Sequence, residues 1–139
     1  MNNKYGKAEW MMMQVAVIMH NEKADCAVKA VSACAQVTYK EAHAQLKLQG
    51  REDRRGTPNS MSLAAMRNMG CEVKLHKLPR RMSLKTFVKR HAHEDATYFV
   101  HVRGHVVCVR HKEIVDHSTY GSRIIRVWEV NHQLAADSP

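Results

Sequence analysis

The sequence predicts an α+β domain, with N-terminal helices packed on a C-terminal antiparallel sheet. Two observations predict it. Residues 25–91 carry Ala-rich and helix-capped segments, whereas from Thr97 onward the chain is rich in Val, Ile, Tyr and Phe, in short runs broken by turn residues. Helices first and closely spaced strands second do not give the alternation of a doubly wound parallel sheet. At 139 residues the chain is read as a single domain over 1–139, its core spanning about 20–130.

Each element has a local cause. Asp25 is a favourable N-cap for a first helix through Cys26-Ala27-Val28-Lys29-Ala30-Val31-Ser32-Ala33-Cys34-Ala35. Ala27, Ala30, Val31 and Cys34 share one face, so burial is expected on that side. Thr38 and Glu41 match a capping box for a second helix that stops at Gly50. A polar loop, Gly50–Asn59, leads to a third helix over about Ser60–Met69, with Gly70 as its C′ glycine. Cys71–Leu78 reads as a strand, with Val73 and Leu75 against Lys74 and His76, ended by Pro79. Ser83 caps a short helix reaching about His91. Strands are then expected over Thr97–Arg103, His105–Arg110, Glu113–Asp116 and Arg123–Val130. They are joined by Gly104, by His111-Lys112 and by Tyr120-Gly121-Ser122.

Composition narrows the function classes. Charged residues are 25% and hydrophobic residues 45%, ordinary for a globular protein. No apolar run approaches the ~18 residues of a membrane span, and no membrane partner is expected. The segment Met11–Met19 lacks a strongly basic n-region and a small-residue cleavage site, and it reads as a strand or short helix rather than a signal peptide. Cys26, Cys34, Cys71 and Cys108 form no Cys-x-x-Cys pair, which points to free thiols in a reducing cytoplasm. No metal and no cofactor is expected: Cys71, Cys108, His91, His93 and His111 lack finger-like spacing. Trp10 and Trp128 read as packing or rim residues rather than base-stacking platforms.

The net charge of +9 favours acidic partners, nucleic acid among them. Its densest part runs from Lys74 to Arg90 and includes Lys77, Arg80, Arg81, Lys85 and Lys89. A solvated surface explains these cations more simply than a phosphate-binding face. Aromatic residues are 6% of the chain, too few to suggest a base-stacking surface.

Three residues stand out for chemistry. Cys26 falls at the first turn of the first helix, where exposed N–H groups and the helix dipole favour a thiolate. Asp25 beside it opposes this unless its carboxylate is engaged in capping. His105 opens a strand just after Gly104. A two-residue His111-Lys112 loop sets Arg110 against Glu113. Extending that pairing makes His105 and Asp116 diagonal neighbours on one face, roughly 7–8 Å apart at the backbone. An acid there would orient the imidazole, completing a nucleophile–base–orienter set.

These stretches resemble papain-like cysteine peptidases, in particular the bacteriocin-processing (double-glycine leader) peptidases and small phage-encoded relatives. Asp25-Cys26-Ala27-Val28-Lys29-Ala30-Val31, followed by Tyr39-Lys40-Glu41-Ala42-His43, is similar to their nucleophile helix and the next helix. Tyr98 to Val109, with Val115-Asp116, is similar to their histidine and acid strands. The resemblance implies a papain-like fold and thiol chemistry on an amide or ester bond of a peptide or protein substrate. Cys26 would be the nucleophile, His105 the base and Asp116 its orienter. It also implies an oxyanion hole made by the Cys26 N–H and one upstream side chain. These peptidases usually carry Gln about six residues before the cysteine; here His20 stands there, with Asn21 next, and either can donate a hydrogen bond. Ala27 replaces their usual Gly. The expected compartment is the cytoplasm, that of the host if the chain is phage-encoded. Two other readings stay open: a catalytically silent papain-like domain that binds a partner macromolecule, and a small basic nucleic-acid-binding protein.

Overall fold

The computed structural model describes residues 25–52, 57–115 and 121–132. Trp10, the Met11–Met19 segment, His20, Asn21, Asp116 and Tyr120 lie outside the described residues. Among the described residues the elements run α1 (Cys26–Ala35), α2 (Tyr39–Leu48), α3 (Asn59–Asn68), β1 (Cys71–His76), α4 (Leu84–Arg90), β2 (Thr97–Val102), β3 (His105–Arg110), β4 (Glu113–Ile114) and β5 (Ile124–His132). The strands form one antiparallel sheet in the order β1-β5-β2-β3-β4. The fold is α+β, with β1 and α4 standing between the first three helices and the remaining strands.

Both faces of the sheet are covered, which is why β2 and β3 read as nearly unbroken apolar runs. On one face Phe99, Val106, Cys108, Trp128 and Val130 join a core built by α1, α2 and α3. On the other, Tyr98, Val100, Val102, Val107, Val109 and Val127 meet Leu84, Phe87 and Val88 of α4. Phe87 and Tyr98 pack edge to face at 5.0 Å between centroids. Trp128 is a packing residue, tilted against Phe99 at 5.9 Å.

The expected one-sided burial of α1 is corrected by the structure. Ala27, Val28 and Ala30 to Ala35 are all buried, so the helix is enclosed on nearly every side, with only Cys26 and Lys29 near its N-terminus partly exposed. It packs on β3 and β2 while α2 and α3 enclose its remaining sides. Small alanine side chains allow that close approach from several directions. Gln36 ends the helix in a left-handed conformation, φ 58°, and is itself fully buried.

Caps and turns follow the local rules elsewhere. The Glu41 N–H donates to Thr38 Oγ1 at 3.1 Å, and the Thr86 N–H donates to Ser83 Oγ at 3.2 Å. Gly50 and Gly70 follow their helices at φ 105° and 93°. The expected strand from Cys71 is shorter and less regular than its alternation suggests. It ends at His76, and Leu75 is 49% exposed because no described element covers it.

The His111-Lys112 turn matches the expectation. Arg110 pairs with Glu113 and Val109 with Ile114, and the Val115 N–H donates to the Cys108 carbonyl at 2.9 Å. Both loop residues have positive φ, 54° and 57°, as a type I′ hairpin turn requires. Neither is Asn or Gly, so the turn carries backbone strain of about 1–2 kcal/mol per residue. Replacing His111-Lys112 by Asn-Gly should raise the unfolding free energy by about 1 kcal/mol in urea denaturation. A loss of stability would contradict this turn geometry.

Candidate active site

Cys26 is the first residue of α1, half-buried at the edge of the helical core. Its position on the sheet follows from the β2–β3 hairpin. Val102 pairs with His105 across the two-residue Arg103-Gly104 loop. Residues flanking such a loop exchange their hydrogen bonds with each other, so the next residue, Val106, turns its N–H to the opposite edge of β3. At that edge the Val106 N–H donates to the Cys26 thiol, and the His105 ring is hydrogen-bonded to the same sulfur. Gly104 serves the turn rather than a tight contact. Its φ is +72°, and a Cβ there would meet nothing within 4 Å.

The electrostatics of Cys26 are a contest. Burial pushes the thiol up. The hydrogen bond with His105, the N–H of Val106, the charge of His105 and the N–H of Ala27 push it down, and together they prevail. The result is a thiol held below its ordinary value, the state that makes a cysteine nucleophilic at neutral pH. Cys34, one helix face away, shows the opposite balance. Complete burial pushes its thiol well up, and its neighbours Cys108 and Cys71 add to that. The four cysteines are free thiols, and Cys34, Cys71 and Cys108 are buried.

Asp25 corrects the expected capping. It occupies the N-cap position, but its side chain makes no cap hydrogen bond. Instead the Tyr39 hydroxyl donates to Asp25 Oδ2 at 3.0 Å, and Lys29 Nζ lies 3.5 Å from Oδ1. The physical reason is burial: Asp25 is 5% exposed, and a carboxylate so placed needs a cation and donors at once. The consequence for Cys26 is favourable. A capping carboxylate would compete with the sulfur for the first helical N–H groups, whereas here the Ala27 N–H serves the thiol. The opposing charge beside Cys26 is offset by Lys29.

Two of the sequence-derived catalytic residues, Cys26 and His105, are therefore brought together. The third, Asp116, and the two oxyanion candidates, His20 and Asn21, lie outside the described residues. β4 ends at Ile114, and Val115 continues its pairing with β3 to within one residue of Asp116.

A second histidine near the site escaped the sequence reading. His101 pairs with Val106 across the β2–β3 ladder, and its Nδ1 lies 3.1 Å from Asn59 Nδ2 at the start of α3. With the ring proton on Nε2, the Asn59 amide N–H donates to Nδ1. Burial, then the nearby Arg126, lowers the His101 pKa and favours the neutral ring. The signal missed was register: only the pairing of β2 with β3 shows that residue 101 stands beside Val106. Among the described residues, no three His, Cys, Asp or Glu side chains converge on a metal position. No described helix is long and apolar enough to cross a membrane.

No family model matches the chain, and neither a curated protein nor a solved structure does.

Tyr39→Phe tests the role of Asp25. Removing a hydroxyl that donates to a buried carboxylate should cost about 1.5–3 kcal/mol in urea denaturation at pH 7. An unchanged midpoint would mean that Tyr39 does not hold Asp25.

Proposed function

We propose that the chain is a papain-like cysteine peptidase, or a closely related thiol hydrolase or acyltransferase, acting on an amide or ester bond. The observation that carries this reading is the Cys26–His105 hydrogen bond at a helix N-terminus. A thiol lowered by a histidine and by helix N–H groups is the activated nucleophile of such enzymes.

In this mechanism the Cys26 thiolate attacks the substrate carbonyl carbon while His105 holds the thiol proton. The tetrahedral oxyanion is met by the Cys26 backbone N–H and by an upstream side chain, His20 or Asn21. As the C–N or C–O bond breaks, His105 gives its proton to the leaving amine or alcohol. The acyl group then remains on sulfur. His105 next takes a proton from water or an acceptor nucleophile, which attacks the thioester and frees Cys26. Asp116 accepts the remaining ring N–H of His105, fixes its tautomer and stabilises the imidazolium. The lowered thiol supports the first step, and the hairpin register up to Val115 is compatible with the role given to Asp116.

The reading is tested by turnover of a mixed fluorogenic peptide library. Cys26→Ala should abolish turnover while leaving the circular dichroism spectrum and urea midpoint nearly unchanged. Asp116→Asn should slow turnover by about 10²-fold or more, with Cys26 still open to alkylation. Turnover surviving in Cys26→Ala would sink the proposal. An unchanged rate in Asp116→Asn would assign Asp116 to the fold alone.

A further inference from the structure

The stretch singled out for its positive charge, Lys74 to Arg90, does not lie flat on the surface. Its first half forms one wall of a groove of about 430 Å³ between the end of β1, the loop leading to α4 and the start of β5. Lys77, Arg80 and Arg81 stand on the loop wall, and Arg126 stands on β5. All four are exposed, and none of the groove's described lining residues is acidic.

The same groove carries apolar side chains that water would otherwise hold. Leu75 is 49% exposed and Ile125 is 53% exposed. Ile125 is put there by a β-bulge. Val102 pairs with Ile124 and His101 pairs with Arg126, so Ile125 is the extra residue that the ladder skips. Bulges re-aim a side chain out of the regular alternation, at a cost in pairing. Here the side chain so released is a large aliphatic one facing solvent, with nothing in the core to explain it.

The groove is held open by backbone rather than by mobile side chains. The Ile124 N–H donates to the Met82 carbonyl at 3.0 Å, and the Leu84 N–H donates to the Ser122 carbonyl at 2.9 Å. These two bonds clamp the far end of the cationic loop onto the start of β5. A preformed site loses little ordering entropy when it is filled.

We infer that this groove is a docking site for an acidic peptide segment bearing aliphatic side chains, whose carboxylates meet the Lys77, Arg80, Arg81 and Arg126 cations while its aliphatic groups cover Leu75 and Ile125. Charge complementarity selects the sign of the partner. The aliphatic lining selects its kind. A nucleic-acid strand would leave Leu75 and Ile125 against phosphate or sugar, and the described lining holds no Phe, Tyr or Trp on which a base could stack. An anionic lipid surface needs a protruding apolar face, whereas these residues line a concavity.

The groove and the thiol share one end of the sheet. Ile124 pairs with Val102, and Val102 pairs with His105. From β3 to β5 is two strand spacings, roughly 10 Å. The groove lies on the β1 side of β5 and Cys26 beyond the far edge of β3, so a bound peptide would have to continue across β2 and β3 to meet the thiol. The docking itself does not rest on the peptidase reading, and its test uses a protein without the thiol.

The experiment is fluorescence anisotropy of full-chain Cys26→Ala protein with a labelled short peptide of glutamates and spaced leucines. Arg80→Glu combined with Arg81→Glu should weaken binding at least tenfold. Ile125→Ser should weaken it severalfold without changing its salt dependence, since it removes apolar contact and no charge. A control peptide with Gln for Glu should bind at least tenfold more weakly than the acidic one. The inference is overturned if the acidic peptide does not bind, or if both variants bind it as wild type does. It is equally overturned if an oligothymidylate strand or phosphatidylserine vesicles compete for the same residues more strongly than the peptide. Turnover by the wild-type protein is unaffected by any of these outcomes as a separate question: a silent groove with an active thiol and an occupied groove with an inert thiol give different results.

Discussion

The burial of α1 is the constraint on which the rest of the structure depends. An Ala-rich helix whose single long side chain, Lys29, reaches back to Asp25 at the N-terminus can be approached closely from several sides, and here β3, β2, α2 and α3 do so. Packing α1 against β3 fixes more than a core. It sets the helix N-terminus beside the start of β3, so that Cys26 meets His105 and the Val106 N–H without either partner leaving its own element. The electrostatic result follows from the packing. The same burial that raises a thiol also excludes the water that would weaken its hydrogen bonds, and in this case the hydrogen bonds prevail. Asp25 is part of that arrangement, since its carboxylate is drawn aside by Tyr39 and Lys29 and leaves the helix N–H groups to the sulfur.

Most of the fold was legible because its signals are local. Thr38 and Ser83 cap the helices they were expected to cap, and glycines 50 and 70 follow helices. The His111-Lys112 loop follows from where the apolar runs stop. What escaped the sequence is what tertiary packing decides. The capping propensity of Asp25 was overridden by a hydroxyl from α2 and an ammonium one helical turn on, neither of which its neighbours in sequence announce. The near-complete enclosure of α1 has no periodic signature, because a helix buried on nearly every side shows no polar stripe. Arg110 is a similar case. A charged residue ending a strand suggests solvent, yet it is fully buried on the face shared with Cys34 and Cys108.

The candidate site was legible to the extent that its residues sit at element boundaries. Cys26 was found from the helix start and His105 from the strand start after Gly104, and these are the two that come together. His101 and Asn59 were not found, because their proximity depends on strand register and on how α3 packs. The bulge at Ile125 was equally invisible, since an Ile-Ile pair in a strand reads as ordinary core. The cationic stretch from Lys74 to Arg90 was seen, but only the clamp between its loop and β5 turns it into a groove.

The central claim is that Cys26 is activated by His105, and the pH dependence of its alkylation by iodoacetamide tests that claim most directly. Thiolate is the reacting form, so the rate rises with pH through the thiol pKa. The account predicts a wild-type inflection clearly below the ~8.5 of an ordinary cysteine, moving up towards or beyond that value in His105→Ala, where burial is no longer opposed by the imidazole. The buried Cys34, whose thiol is pushed up, should stay unmodified throughout the range. An inflection at or above ~8.5 in the wild type, or one that ignores the loss of His105, would contradict the account.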